Sequence, residues 1–147
     1  MEIKVLNTKI HFELLPESDQ PQKTVFQPNM DVLKIGKVID VGHKVEKVKK
    51  GDFITLHINN ISKYIQNDYF CNERDVIFIN GYPQEGKVQI TEQEDINMTS
   101  FKKARVLKSS TNDIKDNEKV FYKDGQFLEL PDHTKILSET QIYFSED

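Results

Sequence analysis

Apolar and polar positions alternate along several short stretches of this 147-residue chain, each bounded by residues that turn the backbone. The clearest is Gly36-Lys37-Val38-Ile39-Asp40-Val41-Gly42, which predicts a strand held between two glycines. A second strand is predicted within Val48–Leu56, where the Lys50-Gly51-Asp52 turn restarts the chain into Phe53, Ile54 and Leu56. Gly51 suits the positive φ that such a turn demands, and Asp52 can bond its own backbone. Tyr64, Ile65, Tyr69 and Phe70, spaced by Asn and Asp, predict crossing strands, and Tyr122–Leu130 predicts two apolar strands about an Asp124-Gly125 hairpin turn. Residues 15–35 follow no period and contain Pro16, Pro21 and Pro28, so they predict a loop. A loop of that length in a compact domain is usually functional or disordered.

The pattern repeats. Gly36–Gly42 aligns with Ala104–Ser110, Val48–Leu56 with Ile114–Tyr122, and Val76-Ile77-Phe78 with Ile142-Tyr143-Phe144. A period close to half the chain indicates a duplicated domain, because solenoid repeats are shorter. Two domains are therefore expected, residues 1–80 and 81–147, with Gly81–Gly86 as linker. Lys87-Val88-Gln89-Ile90 matches Lys9-Ile10-His11-Phe12, which makes the second loop, residues 91–103, shorter than the first. The expected core is Ile10, Phe12, Val38, Val41, Ile54, Leu56 and Ile77, with counterparts Val88, Ile90, Val106, Val120, Tyr122 and Ile142. Val76–Ile79 is expected to pair with Lys87–Ile90. Ala104, Ser110 and Asn117, standing where the first half has glycines, mark drift in the second half.

Hydrophobic content of 37% with 30% charged residues suits a small soluble β protein with a modest core in each half, and no apolar run reaches membrane-spanning length. Net charge is −4, with 11 basic and 11 acidic residues in 1–80 and 9 basic and 13 acidic in 81–147, so neither nucleic acid nor a membrane is an expected partner. The cluster Lys44, Lys47, Lys49 and Lys50 reads as a solvated face beside a turn. Cys71 is the sole cysteine, which excludes an intramolecular disulfide and reads as a buried thiol. With no basic and then apolar leader ahead of Ile3, a cytoplasmic location is expected. His11, His43, His57 and His133 sit singly and are expected at surface or edge positions, so no metal site is predicted. No G-x-G-x-x-G or G-x-x-x-x-G-K-[ST] occurs, which removes the dinucleotide and P-loop readings.

The ordered motifs resemble the GroES co-chaperonin family. Its G-[EK]-V-[VI]-x-V-G strand is matched by Gly36–Gly42 and its V-K-x-G-D-x-[VI]-x-[LF] strand by Val48–Leu56. Ile3–Leu14 is similar to the family's opening strand, with Val5 in place of its proline and Thr8 of its aspartate. Glu73–Ile79 is similar to its closing segment. The resemblance implies an all-β chain of two tandem GroES-like small β-barrels. Only five residues separate Gly42 from Val48, where many members carry a roofing hairpin, so both barrels look roofless, as in phage-encoded co-chaperonins.

By that resemblance the chain is expected to cap a GroEL-like chaperonin and to assist ATP-dependent folding. Thr24-Val25-Phe26-Gln27-Pro28 lies where the family's mobile loop carries an apolar tripeptide before a proline, and is the implied chaperonin-binding segment. The second loop offers Ile96, Met98 and Phe101, with acidic Glu92, Glu94 and Asp95 and no following proline. A homo-oligomeric ring is implied, with Ile3, Val5, Leu6, Ile142 and Phe144 at subunit interfaces. ATP belongs to the chaperonin, so no cofactor, catalytic residue or enzymatic activity is expected. The GroES-like barrel also occurs in medium-chain dehydrogenases, but their zinc ligands and Rossmann domain have no place in this sequence. The alternative is a structural or adaptor protein, in a virion or another scaffold, that reuses the doubled barrel without binding a chaperonin.

Overall fold

The computed structural model describes residues 2–20, 32–93, 100–123 and 125–146. The chain divides into two compact units, Met1–Gly81 and Tyr82–Asp147. Both are built from antiparallel strands and one-turn 3-10 helices, with no α-helix among the described residues. The chain is therefore all-β. No helix among the described residues is long and apolar enough to cross a membrane.

The first unit contains β1 (Lys9–Leu14), β2 (Leu33–Val41), β3 (Phe53–His57), β4 (Ser62–Lys63), β5 (Tyr69–Asn72) and β6 (Val76–Ile79). They lie side by side in the order β4-β5-β1-β2-β3-β6, and the chain leaves β6 through a tight turn to β7 (Tyr82–Pro83), where the second unit begins. That turn is Asn80-Gly81, with φ of 52° and 86°, the positive values a two-residue hairpin requires. β1 sits between β2 and β5 and buries Ile10, His11 and Phe12 in succession. Ile10 and Phe12 join Val38, Val48, Ile54, Leu56, Cys71 and Val76 in one core.

The second unit contains β8 (Lys87–Glu92), β9 (Lys102–Ser109), β10 (Lys119–Tyr122), β11 (Phe127–Glu129), β12 (Lys135–Ser138) and β13 (Ile142–Glu146), in the order β11-β12-β8-β9-β10-β13. Strand for strand this is the order of the first unit, and the registers repeat as well. Ile10 faces Val41 and Phe12 faces Val38 across a bulge at His11/Phe12; Val88 faces Ser109 and Ile90 faces Val106 across a bulge at Gln89/Ile90. Leu56 faces Val76 and Thr55 faces Phe78; Tyr122 faces Ile142 and Phe121 faces Phe144, again with matching bulges.

The three glycines replaced in the second unit each had a steric task, and each replacement meets it differently. A Cβ on Gly36 would lie 2.3 Å from Cδ2 of Phe12; in the second unit Ala104 stands in the place of Gly36 and Ile90 in that of Phe12, both fully buried in the second core. A Cβ on Gly42 would lie 2.2 Å from the Asn7 carbonyl oxygen, whereas the Ser110 hydroxyl donates to the Pro83 carbonyl. Gly51 has φ of 88° and donates its N–H to the Val38 carbonyl; Asn117, with φ of 70°, donates to the equivalent Val106 carbonyl. Asn tolerates that region better than other side chains do.

Five expectations need correction. The opening strand starts at Lys9, not Ile3, because the chain turns at Asn7, whose φ is 56°. β2 begins at Leu33 and β8 runs to Glu92 while β9 starts at Lys102, so both loops are shorter than 15–35 and 91–103. Ile77 stays outside the core because it is the extra residue of the β6 bulge, and Val76 takes the core position. Val76–Ile79 does not pair with Lys87–Ile90, since both sides of β8 are taken by β9 and β12. β10 and β11 are not a hairpin: β10 pairs with β9 and β13, and β11 with β12. Each strand order is open-ended, so neither sheet closes on itself.

Candidate functional site

Of the connection between β1 and β2, the structure describes the base. Thr24, Val25, Phe26, Gln27 and Pro28 lie outside the described residues. A one-turn 3-10 helix at Glu17–Asp19 follows Pro16 and delivers Gln20 back to the strand ends, where its side chain is buried. Nε2 of Gln20 donates to the carbonyls of Leu15 (3.0 Å) and Ile35 (2.8 Å), and Oε1 accepts the Ile35 N–H at 2.7 Å. One side-chain amide thus acts as an extra peptide unit beyond the last β1–β2 pair, Leu14 and Gly36. It clamps the two ends of the connection together, and buried Leu33 anchors the return. Nothing in the sequence pattern singled out Gln20, which sits among polar residues between two prolines.

In the second connection Ile96 and Met98 also lie outside the described residues, but Phe101 is placed. Its ring stands edge-on to Tyr143 (centroids 5.2 Å apart) and to Phe144 (5.4 Å). Phe144 in turn stacks on Phe121 at 4.5 Å. The β13 bulge explains the cluster. Ile142 faces Tyr122 and Phe144 faces Phe121, so Tyr143 is the extra residue, and a bulge re-aims consecutive side chains. Lys123 lies 5.5 Å from the Phe101 centroid and 5.6 Å from that of Tyr143, and Lys103 lies 5.8 Å from that of Phe121. Such contacts contribute about 0.5–1 kcal/mol at exposed sites.

The residues expected at subunit interfaces have mixed surroundings. Val5 is buried and Ile142 packs against the second core, whereas Leu6 and Phe144 are exposed. Ile3 lines a groove of about 490 Å³ with Lys4, Lys63, Tyr64 and Phe70. β13 is the last strand of its sheet, with β10 as its one partner in the strand order.

His11 is a correction, for it is buried. Its ring stacks on Phe70 at 4.8 Å and its Nε2 lies 2.9 Å from Oδ1 of Asp68. The equivalent Gln89 donates to the Thr134 hydroxyl at 3.0 Å, which donates to Asp132 at 2.6 Å. Each unit therefore ties its central strand to the turn before the neighbouring strand, once with an ionisable pair and once with neutral donors. Burial, reinforced by Asp75 and opposed by Lys9, pushes the Cys71 thiol up to about 12, the state of an inert core sulfhydryl. Lys135 and then Tyr122, each 2.6 Å from Oε1 of Glu92, hold that carboxyl below its usual range. Among the described residues no group of three or more His, Cys, Asp or Glu side chains is arranged to hold a metal ion. Comparison of the chain with protein-family models, with curated proteins and with solved structures finds no match.

Proposed function

We propose that this chain is a tandem co-chaperonin, two GroES-like units in one polypeptide, that caps a GroEL-like chaperonin through residues 24–28. The observation that carries the reading is the Gln20 clamp. It fastens both ends of a polar, proline-bearing segment to a rigid sheet while the segment itself bears the apolar pair Val25-Phe26. A tethered apolar anchor of this kind binds by coupled ordering, weakly per copy, and repetition around a ring restores affinity. Self-association into a homo-oligomeric ring is part of the proposal. The motif order and the doubled strand order support the family reading.

The test is co-migration with GroEL in ATP on a sizing column, repeated with Val25→Asp/Phe26→Asp. The wild type is expected to co-migrate and the variant to be lost from the complex with an unchanged circular dichroism spectrum. Absence of co-migration by the wild type would favour the adaptor or virion reading. Retained binding by the double variant would move the anchor elsewhere.

A further inference from the structure

We propose that the outer face of β9, β10 and β13 binds single-stranded nucleic acid, with bases stacked on Tyr143 and Phe144 and phosphates held by Lys103 and Lys123. The proposal is independent of chaperonin binding. Tyr143 is 59% exposed and Phe144 48% exposed, yet both are positioned. Phe101 braces them edge-on and Phe121 stacks beneath Phe144, so little ordering entropy remains to be lost on binding. Two consecutive aromatic residues share this face because Tyr143 is the extra residue of the β13 bulge. Lys103 and Lys123 lie beside the rings, the arrangement of stacking surface and cation that single-stranded nucleic acid recognises whatever its sequence.

The fold itself does not demand these residues. In the first unit the equivalents of Lys103, Phe121 and Tyr143 are Ile35, Thr55 and Ile77, on the matching strands in the same register, and that of Lys123, just past β10, is His57. The acidic balance of the second half, 9 basic against 13 acidic residues, is an average that hides this local face. An acidic peptide added as a strand beside β13 suits the geometry less well. Strands are spaced about 4.8 Å apart, so such a peptide would lie roughly 14 Å from β9, out of reach of Lys103. A chain laid across the face meets both lysines and both rings.

The full chain is titrated into labelled oligo-dT and oligo-U at low salt and followed by anisotropy. The sequence has five tyrosines and no tryptophan, so the part of the tyrosine quenching that disappears in Tyr143→Ala reports stacking on that ring. Saturable binding is expected, falling with salt by a slope of about −0.7 per neutralised phosphate. Lys103→Gln/Lys123→Gln should flatten that slope by about 1.4. Tyr143→Ala/Phe144→Ala should weaken binding roughly tenfold or more at nearly constant slope. Should the double aromatic variant lose its fold, Tyr143→Ala alone serves, since that side chain is mostly exposed. Lys37→Gln/Lys49→Gln in the first unit should change neither quantity. Preference for oligo-U would identify RNA, and equal binding the shared chemistry. No binding at low salt, equal loss in the first-unit control, or competition by poly-glutamate as effective as that by oligonucleotide would each overturn the proposal.

Discussion

Gly36 with Phe12, and Ala104 with Ile90, are two solutions to one packing problem, and exchanging them tests the equivalence of the units. In Gly36→Ala the new Cβ would stand 2.3 Å from Cδ2 of Phe12 and 3.0 Å from the Glu13 carbonyl oxygen. Phe12 is fully buried and stacks on Tyr69 with centroids 6.0 Å apart, so its ring cannot retreat without moving the core. Overpacking of this kind costs about 1–3 kcal/mol. Phe12→Ile removes about three carbons, which at ~0.8 kcal/mol per methylene costs roughly 2.4 kcal/mol before any cavity term. In the double variant the alanine methyl occupies part of the space the ring vacates. The pair should therefore cost less than the sum of the singles, by a coupling of about 1–2 kcal/mol. The assay is urea unfolding read by labelling of Cys71, the sole cysteine, which lies in the first core and so reports that unit alone. Additive costs, or a neutral Gly36→Ala, would refute the argument.

Gln20→Ala removes the clamp and leaves the Ile35 N–H without this acceptor; about 1–3 kcal/mol of first-unit stability should be lost, with faster hydrogen exchange at Ile35. Unchanged protection at that amide would show that water or a neighbour replaces the amide. Glu92 has a folded-state pKa below its ordinary 4.5, so its contribution to stability is present above that value and is lost as pH falls through the lower folded one. Glu92→Gln should lose less stability than wild type on acidification through that window, and parallel melting curves against pH would contradict it. Cys71, with its pKa pushed up to about 12 by burial, should react with a thiol reagent at neutral pH only as fast as the first unit opens. A labelling rate that did not slow in stabilising osmolyte would mean that the sulfur is reachable in the folded state.

The repeat and most of both cores were legible because alternation and bounding glycines are local signals. Ile10, Phe12, Val38, Ile54 and Leu56 lie in the first core, and Val88, Ile90, Val106, Val120 and Tyr122 in the second. What escaped depended on partners distant in sequence. A bulge changes which side chain faces inward by one residue, so alternation points to Ile77 where Val76 packs. The Asn7 turn shortened the opening strand, since a single Asn in a run of alternating residues carries no warning of a positive φ. Burial of His11 is invisible in the local pattern because its cover, Phe70, comes from β5, almost sixty residues later. Gln20 is the same kind of miss. A polar side chain in a loop gives no sign that it will replace a peptide unit at the end of a ladder.

Where the two units differ, most differences cancel within the fold. Ala104 and Ile90 stand where Gly36 and Phe12 do and are both buried in the core, Ser110 bonds the Pro83 carbonyl, Asn117 accepts the φ of Gly51, and Gln89 with Thr134 replaces His11 with Asp68. Each exchange keeps a buried surface filled or a polar group paired, so packing and hydrogen bonding alone account for it. The outer face of β9, β10 and β13 is different. Replacing an isoleucine-like residue by exposed Tyr143, beside exposed Phe144, leaves apolar ring surface in water, which folding alone does not favour. Lys103 and Lys123 add rotamer entropy costs if they are held against those rings. Neither change repairs anything in the second core, to which β9 and β10 contribute Ala104, Val106, Val120 and Tyr122 and β8 and β12 the rest. The first unit's elaboration lies at the clamped β1–β2 connection and the second unit's at this aromatic face. The two proposed sites therefore rest on different residues with different chemistry, and substitutions at one should leave binding at the other unchanged.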